Sequence, residues 1–246
     1  MWIYDTTRDV RTRLTAGNND TWPVWSGDGK SVAFSSRRPG NLDIYIRDVA
    51  TGAERPVVVS EGDKIATSWS PDGTVIFYDA LGLPSGTDIR YVTLADGKSH
   101  EYAATQFVES SATMSPDGKW VAFESNESGQ PEIYVAPFPP TGAKWAVSQS
   151  GGIAPRWRGD GRELFFIQSS DQNVMAVPVA PGATPEIGKP VPLFRVRTFS
   201  GSDSWDVSAD GQRIIAAAHR GPEPKPEPMT LVQNFDVVLH EAADDE

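Results

Sequence analysis

The 246 residues carry 39% hydrophobic and 10% aromatic side chains, enough for a sizeable core, while 22 glycines and 20 prolines suit a chain of many tight turns. A formal net charge of −11 excludes nucleic acid and anionic membrane surfaces as partners, since both require basic surface. The absence of cysteine excludes thiol catalysis, disulfides and thiolate metal sites, and no apolar run is long enough to span a membrane.

The first segments, 2–5 (WIYD) and 12–15 (TRLT), match the third and fourth strands of a unit that recurs downstream, here without its first two strands. Whole copies then follow. Trp25 opens WSGDGKSVAF, Trp69 opens WSPDGTVIFY, Met114 opens MSPDGKWVAF, Trp157 opens WRGDGRELFF and Val207 opens VSADGQRIIA. The starts at 25, 69, 114, 157 and 207 are separated by 44, 45, 43 and 50 residues, and a period near 45 decides the architecture before any single residue can.

Within a copy the Asp-Gly pair marks a hairpin turn. Pro71 presets φ for the second turn position, Asp72 bonds its own backbone, and Gly73 accepts a positive φ. The pairs Asp28-Gly29, Asp117-Gly118, Asp160-Gly161 and Asp210-Gly211 repeat that chemistry, so these aspartates read as turn residues rather than ligands. A third strand follows in DIYIRD, DIRYVTLA, EIYVAPF and NVMAVPVA. A more polar fourth follows in RPVVVS, HEYAAT, KWAVS and PLFRVR. Alternating apolar and polar residues predict half-buried strands. Four short strands per 45 residues predict an all-β fold, a β-propeller of four-stranded antiparallel blades. About five blades are present, with repeats starting near 20, 64, 109, 152 and 202 after a half blade at 1–17. Trp25, Trp69, Met114, Trp157 and Val207 share one position of the innermost strand. Phe34, Tyr78, Phe123, Phe166 and Ala216 share a slot on the second strand, and both sets are expected between blades as core.

The propeller domain is expected to span 1–239, with a proline-rich insertion at 221–228 and an acidic, disordered tail at 240–246. Either 11–15 supplies the missing fourth strand of the last blade, or the chain is an N-truncated part of a larger propeller.

W-S-P-D-G-K-x-[IV]-A-F followed by D-I-Y-[IV] resembles the TolB-like, WD40-like PD40 repeat. The stretches SPDGKWVAFESNESGQPEIYVAPFP and GGIAPRWRGDGRELFF resemble the propeller that follows the kinase domain of bacterial membrane-anchored serine/threonine kinases. The resemblance implies a non-catalytic module binding protein, peptide or a small ligand, with a periplasmic setting. Its alternatives are a kinase sensor or the gating propeller of a prolyl-peptidase-type hydrolase.

No catalytic constellation is present: there is no G-x-S-x-G elbow, and His100, His219 and His240 have no nucleophile beside them in sequence. Glycine-rich phosphate loop, H-R-D and D-F-G motifs are absent, and no His/Cys spacing suits zinc. No cofactor is expected. The loops entering the innermost strands are the place for a ligand, because rigid blades let them vary. Asn19, Asp20, Asp63, Lys64, Glu109, Ser110, Arg156 and Asp203 form the expected rim around a channel mouth. Its carboxylates would suit a cation such as calcium or a basic peptide, and Arg156 a carboxylate.

Overall fold

A computed structural model describes residues 1–17, 19–38, 40–180, 182, 184–196, 205–217 and 230–233. Among them all regular structure is strand, with no helix. β1 (Trp2–Asp5) and β2 (Val10–Arg13) form a hairpin, pairing along their whole length. The first full sheet comprises β3 (Asp20–Trp25), β4 (Ser31–Ser36), β5 (Asp43–Asp48) and β6 (Glu54–Val58), hydrogen-bonded in sequence order. The second comprises β7 (Lys64–Trp69), β8 (Val75–Leu83), β9 (Gly86–Thr93) and β10 (Ser99–Ala103). The third comprises β11 (Glu109–Met114), β12 (Trp120–Ser125), β13 (Glu132–Pro137) and a two-residue β14 (Trp145–Ala146).

The fourth sheet runs β15 (Ile153–Trp157), β16 (Glu163–Ile167) and β17 (Asn173–Ala180), and its outer edge is split. β18 (Glu186–Ile187) pairs with one end of β17, and β19 (Val191–Arg195) with the other. Three strands, β20 (Trp205–Val207), β21 (Arg213–Ala216) and β22 (Thr230–Gln233), make the fifth sheet. The antiparallel meander of four strands is the propeller blade expected from the 45-residue period. The expected insertion at 221–228 and tail at 240–246 lie outside the described residues.

The chain divides into two compact units, 1–112 and 113–246, each with its own core. In the first, Ala33, Ile44 and Ile46 pack against Ala66, Ile76 and Tyr78. In the second, β16 has both faces covered. Leu164 and Phe166 face the third sheet's Ala122 and Ile133, while Phe165 and Ile167 face Trp205 and Ile214 of the fifth. This corrects the expectation of half-buried strands for the second and third positions. A strand between two stacked sheets is a continuous apolar run, as VAF, VIFY, VAF and LFF are. Alternation survives on the innermost strands β3 and β7.

A second correction concerns Trp25. Trp157 is buried against the third sheet and donates its indole N–H to the Thr113 carbonyl at 3.1 Å, and Trp69 packs on the first sheet. Trp25 is 47% exposed. Trp157 and Trp69 pack on the sheet before them; among the described residues the strands before Trp25 are β1 and β2.

Candidate functional site

Each repeat begins with the same turn. Gly73 has φ of 76° and donates its N–H to the Ser70 carbonyl at 2.9 Å, and Ser70 N–H closes the hairpin on the Val75 carbonyl at 2.8 Å. Ser70 Oγ donates to Asp72 Oδ1 at 2.6 Å and accepts the N–H of Val75 at 2.9 Å. Ser26–Asp28, Ser115–Asp117 and Ser208–Asp210 repeat that bond, at 2.7, 2.6 and 2.5 Å. In the fourth copy Arg158 replaces the serine and lies 3.5 Å from Asp160. The serine hydroxyl and the backbone N–H two residues on hold Asp28, Asp72 and Asp210 below the usual carboxylate range. These carboxylates are therefore committed to closing turns.

At the other end of the innermost strands the backbone departs from the ladder. Trp22, Ser111 and Ala154, three residues before Trp25, Met114 and Trp157, have φ of 49°, 58° and 57°. Register slips there between Thr21 and Val24, and between Ile153 and Arg156, and at the matching place between Ala66 and Ser68. This is a β-bulge, and a non-glycine residue in the left-handed region costs about 1–2 kcal/mol. The N–H groups so turned out of the ladder are collected by side chains of the sheet before. Ser35 Oγ accepts from Ala66 at 3.0 Å, Asp79 accepts from Ser111 at 3.0 and 3.1 Å, and Glu124 accepts from Ala154 at 2.7 Å. All three follow directly on the slot aromatics Phe34, Tyr78 and Phe123. The polar residue after AF, FY and AF is the sequence signal that would have found them.

Three third strands carry a buried acid before an isoleucine, Asp43 and Glu132 at the first residues of β5 and β13 and Asp88 at the third residue of β9; they are 8%, 3% and 7% exposed. In the first and third sheets the acid ties down the connector entering the next innermost strand, whereas Asp88 accepts the Ser85 hydroxyl within its own hairpin at 2.6 Å. Asp43 accepts the Lys64 ammonium at 2.8 Å, and that ammonium also donates to the carbonyls of Gly62, at 2.8 Å, and Ser60. Glu132 uses neutral partners instead, the N–H of Gly151 at 2.8 Å, the Gln130 amide at 2.7 Å and the Ser148 hydroxyl.

The expected rim residues fall into three groups. Lys64 and Glu109 are buried and internally bonded, Glu109 to the hydroxyl and N–H of Thr105, so neither stands on a solvent-facing rim. Asp20 likewise has a buried side chain, accepting the Ser36 hydroxyl at 2.5 Å with Arg38 4.0 Å away. These carboxylate bonds hold Asp20 below its ordinary value against the opposing effect of burial. Accessible groups remain on Asn19, Asp63, Ser110 and Arg156. The structure brings Asn19 and Asp63 together through Arg37, whose backbone N–H reaches the Asn19 carbonyl at 3.2 Å and whose guanidinium reaches Asp63 at 2.7 Å. Asp63 also accepts the Leu42 N–H, and these bonds lower its pKa. Arg156 lies 3.6 Å from Asp206 and over the Trp205 ring. Asp203 lies outside the described residues. Among those described, no group of three or more His, Cys, Asp or Glu is placed to hold a metal ion.

Up-and-down antiparallel sheets, each with an Asp-Gly hairpin between its first two strands and latched through side chains of the preceding sheet, define a β-propeller assembled from one repeat. A model of the TolB β-propeller domain, PD40, matches residues 21–183, and the chain belongs to that family. The Tol-Pal system protein TolB of Francisella tularensis subsp. holarctica is 29% identical over 157 residues, covering 61% of this chain and 35% of that protein. The chain thus spans about a third of the length of such curated relatives. The crystal structure of TolB from Acinetobacter baumannii superposes with a TM-score of 0.73 at 21% identity, covering 89% of this chain and 54% of that one. An oligogalacturonate lyase in complex with manganese reaches 0.63 at 14% identity, covering 89% and 64%. At such identities the likeness is one of fold.

Proposed function

We propose that the chain is a non-catalytic, extracytoplasmic binding module that holds a protein or peptide partner at the sheet end where the innermost strands begin. The observation that carries this reading is the match to the TolB propeller domain over residues 21–183. A relative named for the Tol-Pal system points to a partner within an assembly of that type. The rim supports it locally: Asn19 and Asp63 lie on the connectors entering β3 and β7, and Ser110 is the second residue of β11, each with accessible groups. The kinase-sensor alternative draws no support from these relatives.

The test is site-specific crosslinking. A photo-reactive side chain at Asp63 or Ser110, and at Ser99 on β10 as control, is introduced into the chain in its native cells. One discrete crosslinked partner from the first two positions, absent from the third, is the expected result. Equal or no crosslinking at all three would overturn the rim, and recovery of the chain in the cytoplasmic fraction would overturn the compartment.

A further inference from the structure

The chain builds one sheet-on-sheet contact twice, once filled and once not. Between the third and fourth sheets lies a buried cluster that includes Ile133, Val135 and Trp157. Between the first and second, Ile44, Ile46 and Trp69 take the same places. Two members of the filled contact have no counterpart in the other. Trp120 is 8% exposed, and its ring meets that of Trp145 edge-on at 5.6 Å. At the position of Trp120 in MSPDGKWVAF, the first repeat has Ser31 in WSGDGKSVAF. On the fourth strand Trp145 pairs opposite Val135, and Arg55 pairs opposite the matching Ile46. Where one contact has two indoles, the other has a hydroxyl and a guanidinium.

The room is left open. A pocket of about 500 Å³ lies there, lined by Ser31, Ile46, Arg55, Trp69 and Leu94. Gly73 also lines it, which puts it at the Asp-Gly turn end of the sheets, opposite the rim. Its two acids are already committed. Asp48 accepts the N–H and hydroxyl of Thr51 at 2.7 and 2.8 Å, and Glu54 pairs with Arg38 and Arg47, each at 2.7 Å. Arg55 forms no ion pair among the described residues, so the pocket's uncompensated charge is a cation. Trp69 is unfinished as well. Trp157 donates its indole N–H to Thr113, whereas the buried Nε1 of Trp69 has no acceptor among the described residues. Apolar wall beside a free guanidinium suits an aromatic ring, which buries its area and offers the cation its face.

We propose that this pocket receives a tryptophan side chain presented by a protein partner, in the place that Trp120 and Trp145 fill at the other contact. The indole packs on Ile46, Trp69 and Leu94 and turns its face to Arg55. This surface is separate from the rim. It rests on the reading of the chain as a protein-binding module but not on the rim itself, so a probe can fail here while rim crosslinking succeeds.

The experiment is a titration of the isotope-labelled full chain with the peptide Ac-Gly-Trp-Gly-NH₂, followed by NMR shifts. Saturable shifts at Ser31, Leu94 and the Trp69 indole are expected, with Ac-Gly-Leu-Gly-NH₂ binding at least about tenfold more weakly. Ser31→Trp restores the ring of the filled contact and should abolish the shifts while raising stability. Arg55→Ala, at an exposed position, should weaken binding about fivefold, and it decides alone if Ser31→Trp does not fold. Equal binding of the leucine peptide, undiminished binding by Arg55→Ala, or no shift at these residues would each overturn the proposal. Free indole binding more than about tenfold tighter than the peptide would overturn the protein partner in favour of a small ligand. Concentration-dependent shifts at the same residues without peptide, lost in Trp2→Ser, would overturn it in favour of a second copy, whose Trp2 is 64% exposed.

Discussion

The junction entering β7 and the junction entering β15 solve one problem by opposite means. Each must satisfy a buried acid at the start of a third strand. Asp43 is met by the Lys64 ammonium, whereas Glu132 is met by two side-chain donors and a backbone N–H. At the second place Gly152 occupies the position of Lys64. A β-carbon there would lie 2.6 Å from Ser148 Oγ and 2.9 Å from Ile133, so the hydroxyl has taken the room that a lysine would use. The acid recurs in the first three full sheets while its counterpart is interchangeable. A charged residue at a strand start therefore says little about ligand binding until the acid before it is known.

The sharpest way to break that comparison is to remove one counterpart at a time. Lys64→Met leaves Asp43 buried and uncompensated and should destabilise the first unit by about 3–5 kcal/mol in denaturant unfolding. Glu132→Gln replaces an acceptor that takes three bonds with one that places an NH₂ against donors. A loss of about 1–3 kcal/mol is expected, and it should respond less to salt. Equal costs in the two variants would mean that charge makes no difference between these junctions.

A second contrast lies between Trp157 and Trp25. Trp157→Ala empties a packed position and removes an indole hydrogen bond, so about 3–5 kcal/mol should be lost. Trp25→Ala, at a side chain 47% exposed, should cost less than about 1 kcal/mol by the same measurement. A large loss at Trp25 would show that its exposed face is covered in solution.

The latches rank next. Glu124→Ala leaves the Ala154 N–H without its acceptor while the bulge persists, and about 1–3 kcal/mol should follow. Hydrogen exchange at the Ala154 amide should quicken more than at the ladder amides of β16. Uniform quickening would place the effect on the whole fold rather than on the latch.

These contrasts also show what the sequence could tell. The period, the Asp-Gly turns and the four-strand order were legible because each depends on a few adjacent residues: Gly73 needs positive φ wherever the strand leads next. The fate of polar side chains was not. Lys64 reads as a rim cation until Asp43, 21 residues earlier, is placed beside it. Trp25 and Trp157 are indistinguishable within their own repeats, because burial is decided by the sheet before. Ser35, Asp79 and Glu124 passed as ordinary strand residues, since a bulge in the next repeat creates their task. The β8–β9 hairpin hid its length for a different reason. ALGLPSGT carries the Gly and Pro typical of a loop, yet the pairing runs out to Leu83 and Gly86.

The smallest effect isolates the turns, which, unlike the junctions, are complete within one repeat. Asp72 is held below its ordinary value by the Ser70 hydroxyl first and by the Thr74 N–H and hydroxyl after it. Its folded pKa is therefore the lower one, and protons bind more readily to the unfolded chain. The stability it lends is fully present above the usual carboxylate range and is lost as pH falls through the folded value. Asp72→Asn keeps a side chain suited to the turn but removes the charge. The variant should melt a few °C below the parent at pH 7, and the gap should close as both are acidified toward pH 2. A gap of the same size at both ends would mean that the aspartate serves the turn by shape, and the recurring carboxylate would owe its place to Asx geometry alone.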